Sequence, residues 1–469
     1  MNRFTLLSSS FAVLWAITAT AVEPITIGEQ RQLFVDDFLV DRIDNVQLQI
    51  ERPQPREVVL VTDQPWEGNT SAYYTIFQDG DKYRMYYRGS HWDEKSKQAT
   101  HREVVCYAES VDGVNWIKPQ LGLYEFEGAK KNNIVWDGVG SHNFTPFKDT
   151  NPKCDPQARY KALARGRSLN KNDTSSKHGL FAFRSPDGIH WELMHNEPVI
   201  TEGAFDSQNL AFYDQVAGVY RDYHRWFNQG KRDIMQAQST DFLTWTKPVP
   251  LKYTESRREH LYTNAIRQYK RAPHIFLGFP TRYLPNEGQR VEPVFMSSRD
   301  GLHFQRWPDA LIPEDAPADR SGNRSNYMAW GLLQLPNQNR ELSVYATEAY
   351  YTGPDSRLRR FVYRLDGFMS AASDSRGGNL ITKPLVFTGS HLELNYQTGP
   401  TGSIRIELQE LDGTPIAGLT SSSCQPLSGD SISRQVEWDG ETDLQALSGK
   451  PIRLVFKIND GNLYSFRFR

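Results

Sequence analysis

One seven-residue pattern, Ser-x-Asp-Gly-x-x-Trp, recurs along the chain and narrows the folds open to it. It reads Ser110-Val-Asp112-Gly113-Val-Asn-Trp116 and Ser185-Pro-Asp187-Gly188-Ile-His-Trp191 in full. It returns in altered form as Ser239-Thr-Asp241-Phe242-Leu-Thr-Trp245 and Ser298-Arg-Asp300-Gly301-Leu-His-Phe304, at steps of 75, 54 and 59 residues. An Asp-Gly pair makes a tight turn, because Gly accepts positive φ and the Asp carboxylate bonds the turn backbone. Repetition at this period means one supersecondary unit used several times over. The pattern is a structural device that forms the turn and lays the Trp over the end of a sheet.

Alternating, aromatic-rich stretches surround each copy, such as Ser71-Ala-Tyr-Tyr-Thr-Ile-Phe77 followed by Lys82-Tyr-Arg-Met-Tyr-Tyr-Arg88. Period-2 alternation with this enrichment predicts strands, and no long amphipathic helical pattern appears. About four strands per unit, repeated radially, make a β-propeller. The expected blades are 66–130, 137–197, 201–250, 256–310 and 320–370, with 30–60 closing the ring or covering its base. Beyond 380 the chain turns to short strands, among them Gly402-Ser-Ile-Arg-Ile-Glu-Leu408 and Ile452-Arg-Leu-Val-Phe-Lys-Ile458. The expected class is all-β: a five-bladed propeller within 22–375 and a small antiparallel β-sandwich over 376–469.

Composition excludes several functions. Lys plus Arg is 54 and Asp plus Glu is 56. That balance lacks the basic excess with which a nucleic-acid binder displaces counterions. Met1-Asn-Arg3, the apolar run Phe4–Thr18 and the small-residue site Ala19-Thr-Ala21 read as a cleaved signal peptide over 1–21. A secreted or periplasmic location is therefore expected, and no later apolar run is long enough for a membrane helix. Three cysteines, Cys106, Cys154 and Cys424, are no disulfide framework. No zinc spacing or phosphate-binding loop appears, so no metal or cofactor is expected, although carboxylates lining a channel are compatible with a calcium ion.

In a propeller the innermost strands begin around one mouth of a central channel, so polar residues far apart in sequence converge there. Each expected blade offers a polar cluster just before its first strand: Glu67, then His142 and Asn143, then Asp206, then Glu259, then Arg324 and Asn326. Carboxylates on opposite walls of a funnel suit glycosidic hydrolysis, one as acid and another as base or nucleophile. Glu67, Asp206 and Glu259 are the expected catalytic set. His142, Asn143, Arg324, Asn326, Glu348, Arg88 and Arg165 are the expected substrate contacts, with a carbohydrate as partner. Each has an ordinary structural alternative, such as a surface ion pair for Glu259 or an Asx turn for Asp206.

The blade arithmetic, and the Tyr-Arg-Met-Tyr-Tyr strand followed by Ser-Val-Asp-Gly-Val-Asn-Trp, resemble the five-bladed propeller glycoside hydrolases of families 32, 43, 68 and 117. The chain is also similar to secreted hydrolase-like proteins of marine and planctomycete-type bacteria. The resemblance implies an exo-acting glycoside hydrolase of plant or algal saccharides, with acids on separate blades: Glu67 on the first and Asp206 on the third. The second blade offers His142 instead of a carboxylate, which leaves open a histidine acid, as family 117 is thought to use, or a shift of roles to Glu259. The Trp-Met-Asn-Asp-Pro, Arg-Asp-Pro and Glu-Cys motifs of family 32 are absent. The competing readings are a non-catalytic carbohydrate-binding propeller and a polysaccharide lyase, in which His142 and Arg324 would outweigh Glu67.

Overall fold

The computed structural model describes residues 23–167, 178–312, 326–440 and 443–469. The signal-peptide stretch and Arg324 lie outside them. The described residues form strands with two short 3-10 turns, Pro156–Ala158 and Gln445–Leu447. The protein is all-β, and no helix among them is long and apolar enough to cross a membrane.

Antiparallel sheets follow one another along the chain. The first runs through Ala72–Asp79, Lys82–Gly89, Val104–Ser110 and Ile134–Trp136. The second holds Thr145–Lys148, Tyr160–Arg167, His178–Ser185 and Glu192–Leu193; the third holds Leu210–Asp214, Val219–Asn228, Lys231–Ser239 and Val249–Pro250. The fourth comprises Arg267–Tyr269, Ala272–Gly278, Phe295–Ser298 and His303–Trp307, edged by the parallel pair Lys252–Tyr253, and carries a three-stranded outgrowth. The fifth joins Glu341–Glu348 and Arg357–Arg364 to Gln54–Val61, so an N-terminal strand completes a sheet some three hundred residues away. First and fifth sheets meet where Trp330 N–H donates to Tyr74 O and Ile76 N–H donates to Trp330 O, each at 2.9 Å.

The recurring pattern explains part of this packing. In the first copy the Ser110 hydroxyl accepts from Gly113 N–H, Asp112 accepts from Val114 and Asn115 N–H, and the Trp116 indole donates to Gly113 O. Those bonds satisfy a turn that would otherwise leave buried backbone groups unpaired. The same serine and aspartate bonds recur in the other three copies. Where Gly is replaced, Phe242 takes φ +70, and its ring packs 5.6 Å from Phe147 of the second sheet. The three glycine carbonyls accept a tyrosine hydroxyl from the preceding sheet. Tyr86 reaches Gly188, Tyr223 reaches Gly301, and Tyr345 of the fifth sheet reaches Gly113 of the first, at 2.7–2.8 Å. The turns are therefore staples between sheets as well as ends of hairpins.

A ten-stranded sheet follows, built on the long strands Leu392–Gln409 and Pro451–Phe468. Here the structure departs from the sequence reading. Ile25–Gly28, Gln32–Leu33, Val40–Asp44 and Gln47–Ile50 pair within this C-terminal sheet and not with the sheets of 22–375. The reason is apolar surface: Ile27, Phe34, Leu39 and Val46 pack into the same core as Phe456, Phe466 and Phe468. Cys106, Cys154 and Cys424 are all free thiols.

Candidate functional site

Three arginines occupy matching places late in the second strands of the first three sheets: Arg88, Arg165 and Arg225. They converge on one imidazole and two carboxylates. His142 lies just ahead of the second sheet, with Nδ1 2.9 Å from Glu103 and Nε2 2.7 Å from Asp206 Oδ1. Arg88 stands 3.2 Å from the His142 ring and 3.5 Å from Glu103. Arg165 lies 3.3 Å from Asp206, and Arg225 approaches its other oxygen at 3.9 Å. A neutral imidazole has one N–H, so satisfying both acids at once requires the imidazolium.

The loop carrying Asp206 is held from behind. Arg225 Nε donates to Ala204 O, and Ala204 N–H donates to Arg225 O. The fully buried His224 bonds Asp222 through Nδ1 at 2.5 Å and Glu202 O through Nε2 at 2.9 Å, and its ring packs 5.3 Å from Phe205. Buried amides secure the surrounding segments. Asn143 donates to Phe205 O and Ser207 O, and Gln208 donates to Tyr74 O on the first sheet.

Tyrosines make the walls. Tyr73, held at φ +58, packs 5.7 Å from His142, with the Arg88 guanidinium 4.9 Å over its ring. Tyr262, Tyr327, Tyr350 and Tyr351 form a chain of edge contacts at 5.5, 5.3 and 4.7 Å, and Tyr350 accepts from Arg88 at 3.0 Å. Arg225 and Arg232 both lie over the Tyr262 ring, at 5.2 and 5.0 Å.

The electrostatics follow from this geometry. The His142 hydrogen bond, with the charges of His142, Arg225 and Arg165, outweighs burial and holds Asp206 well below the usual carboxylate range. Burial opposes ionisation of Glu103, yet the His142 bond and Arg88 leave it below its ordinary value. Burial lifts the Tyr350 hydroxyl to about 12 despite Arg88. Asp206 is half exposed and Arg165 about a third, so the cluster is open to solvent. Among the described residues no group of three or more His, Cys, Asp and Glu could hold a metal ion.

The structure brings together Asp206, His142, Arg88 and Arg165 of the residues singled out from sequence, and it separates the others. Glu67 is wholly buried, accepting from Tyr87 Oη at 2.5 Å and Lys118 Nζ at 2.6 Å; burial raises its pKa against the pull of Lys118. Glu259 is tied to Arg282 at 2.9 Å and Arg257 at 3.4 Å. Glu348 is fully buried beside Arg359. Asn143 and Asn326 are fully buried too, their amides occupied by backbone carbonyls. These five are corrections to the expected site: each is bonded to framework groups, although Oε2 of Glu259, Oε2 of Glu348 and Oδ1 of Asn326 are buried without a partner. Sequence reasoning missed Glu103, Arg225, Arg232 and the tyrosines. Arg225 had a signal, since it repeats the strand position of Arg88 and Arg165; Glu103 had none.

No family model matches the chain, and no curated protein matches it in sequence. Solved structures similar to it include a thermostable family-43 glycoside hydrolase (14% identity, TM-score 0.44, 66% of this chain and 95% of that one). An endo-arabinase from Bacteroides thetaiotaomicron has 11% identity and a TM-score of 0.43, over 66% of this chain and 99% of its own. A β-1,2-mannobiose phosphorylase from Listeria innocua has 12% identity and a TM-score of 0.46, over 68% and 97%. At such values the chemistry has to come from the residues themselves.

Proposed function

We propose that the protein is a secreted glycoside hydrolase acting on a plant or algal saccharide. In this reading the five successive sheets are blades of a propeller, and the pit around His142 is its mouth. The observation that carries the reading is the imidazole held between two ionised carboxylates and bordered by tyrosines and arginines. Glu103 and Asp206 flank the imidazole, one on each ring nitrogen. His142, as imidazolium, gives its Nε2 proton to the leaving glycosidic oxygen. Water adds to the anomeric carbon as the glycosidic C–O bond breaks, and its proton restores the imidazolium at Nε2, beside the Asp206 carboxylate that stabilises the charge. Glu103 orients the imidazole through Nδ1. Sugar faces stack on the tyrosines, and the reading includes exo action on terminal residues.

The test is release of reducing ends from a panel of plant and algal oligosaccharides, with His142→Gln and Asp206→Asn alongside. Release that both substitutions abolish is the expected result; release indifferent to both overturns the assignment. A second reading, polysaccharide elimination, is favoured by the Tyr73 ring packed beside His142 under Arg88. An ultraviolet-absorbing unsaturated uronate among the products would select it.

A further inference from the structure

The pit holds more cationic than anionic side chains. Arg88, Arg165, Arg225 and Arg232 surround it, against the carboxylates of Glu103 and Asp206, before any charge on His142 is counted. Arg232 makes the imbalance specific. Its side-chain partner is His260 Nδ1 at 3.4 Å, itself a basic group, and its Nε is buried without a partner. Its guanidinium rests over three rings, Phe227 at 5.8 Å, Tyr262 at 5.0 Å and Tyr283 at 4.9 Å. Phe227 pairs directly with Arg232 across the hairpin, and Arg225 lies two residues before Phe227, so both arginines share one face of the third sheet. Nη1 of Arg225 is likewise buried and unbonded. A guanidinium without a carboxylate partner, set beside Arg225 among aromatic rings, makes a field that favours an anion entering the pit.

We infer that the saccharide taken by this pit carries an anionic substituent, a carboxylate or a sulfate ester, held by Arg232 and Arg165 beside Asp206. This rests on the reading of the pit as a carbohydrate site. Arg88 and Arg225 are nearly buried and act through their charge, whereas Arg165 and Arg232 retain exposure to contact the ligand. The ionised Asp206 lies on the opposite side of His142 from Glu103. The anionic group therefore belongs on the Asp206 side of His142, toward Tyr262 and away from Glu103.

The experiment is calorimetric titration of the full chain with three trisaccharides: trigalacturonate, a sulfated galactose trisaccharide and neutral galactotriose. Wild type is expected to bind one or both anionic sugars at least tenfold more tightly than the neutral one, with the preference shrinking as salt rises. Arg232→Gln is expected to lower affinity for the preferred anionic sugar by about tenfold more than for galactotriose, the scale of one charge-assisted hydrogen bond. Arg232→Lys keeps the charge without the fork and is expected to fall between them. The carboxylate and sulfate arms decide which anion is taken. Equal or tighter binding of galactotriose overturns the substrate class and leaves the carbohydrate site standing. Binding of none of the three overturns both.

Discussion

Asp366 offers a sharp stability test, because its carboxylate joins three parts of the chain and is wholly buried. It accepts from Tyr269 Oη at 2.5 Å and Arg271 Nε at 2.8 Å in the fourth sheet. It accepts from Ser465 Oγ at 2.9 Å in the C-terminal sheet, and Arg31 of the N-terminal segment lies 3.4 Å away. Arg31 is 5% exposed and Arg271 30%. Asp366→Asn keeps the shape, removes the charge and turns an amide donor toward groups that already donate. Leaving Arg31 buried without its counter-charge costs about 3–5 kcal/mol. Arg271 adds little, since solvent already screens it. For 469 residues, an unfolding entropy of roughly 2.1 cal/mol/K per residue gives about 1 kcal/mol per degree, so the melting temperature should fall by about 3–5 °C.

The pH dependence has a definite sign. Burial would raise the Asp366 pKa, but Arg271 and Arg31 hold it below the ordinary value. A carboxyl depressed on folding adds stability that is fully present above its unfolded pKa, near 4, and is lost as pH falls through the folded value. The gap between wild type and Asp366→Asn is therefore widest near neutrality and closes in acid. Scanning calorimetry at neutral pH and at about pH 3 checks both. Tyr269→Phe, which loses one hydrogen bond and no charge, should cost about 1–1.5 kcal/mol by comparison. An Asn variant that melts within about 1 °C of wild type at neutral pH would refute the picture of a carboxylate holding N-terminal segment, fourth sheet and C-terminal sheet together.

His142→Gln or Asp206→Asn should lower kcat by about 10²–10⁴-fold, the scale of general acid–base catalysis. Glu259→Gln, whose ion pairs with Arg282 and Arg257 lie outside the cluster, should leave kcat within about threefold. Arg165→Gln removes one of the charges that depress Asp206. The acid limb of the kcat/KM profile should then move to higher pH, as a pH–rate series reads out. Gly188→Ala adds a methyl at φ +78 whose Cβ would lie 2.7 Å from the Tyr86 hydroxyl. The left-handed conformation and the strained staple together should cost about 2–3 kcal/mol in a thermal melt.

Much of the strand content was open to inspection in the sequence, because alternation and the Asp-Gly turns are local matters. Ser110, Asp112 and Gly113 bond one another within a few residues, so their role is written in adjacent positions. The candidate site was only half open. Asp206 and His142 were visible as polar residues ahead of strands, but so were Glu67 and Glu259. Nothing local distinguishes an acid facing solvent across a pit from one buried against Lys118.

Sequence by itself determined the all-β character, the repeating hairpin unit and the chemistry available to it, since these depend on neighbours in the chain. Tertiary structure alone decided that Glu103 and Asp206 share one imidazole 39 and 64 residues from them, and that strands within residues 25–61 complete sheets at the other end of the chain. The physical reason is that such pairings are set by burial and charge among groups brought close by the closing of sheets on one another, a condition that no stretch of sequence contains.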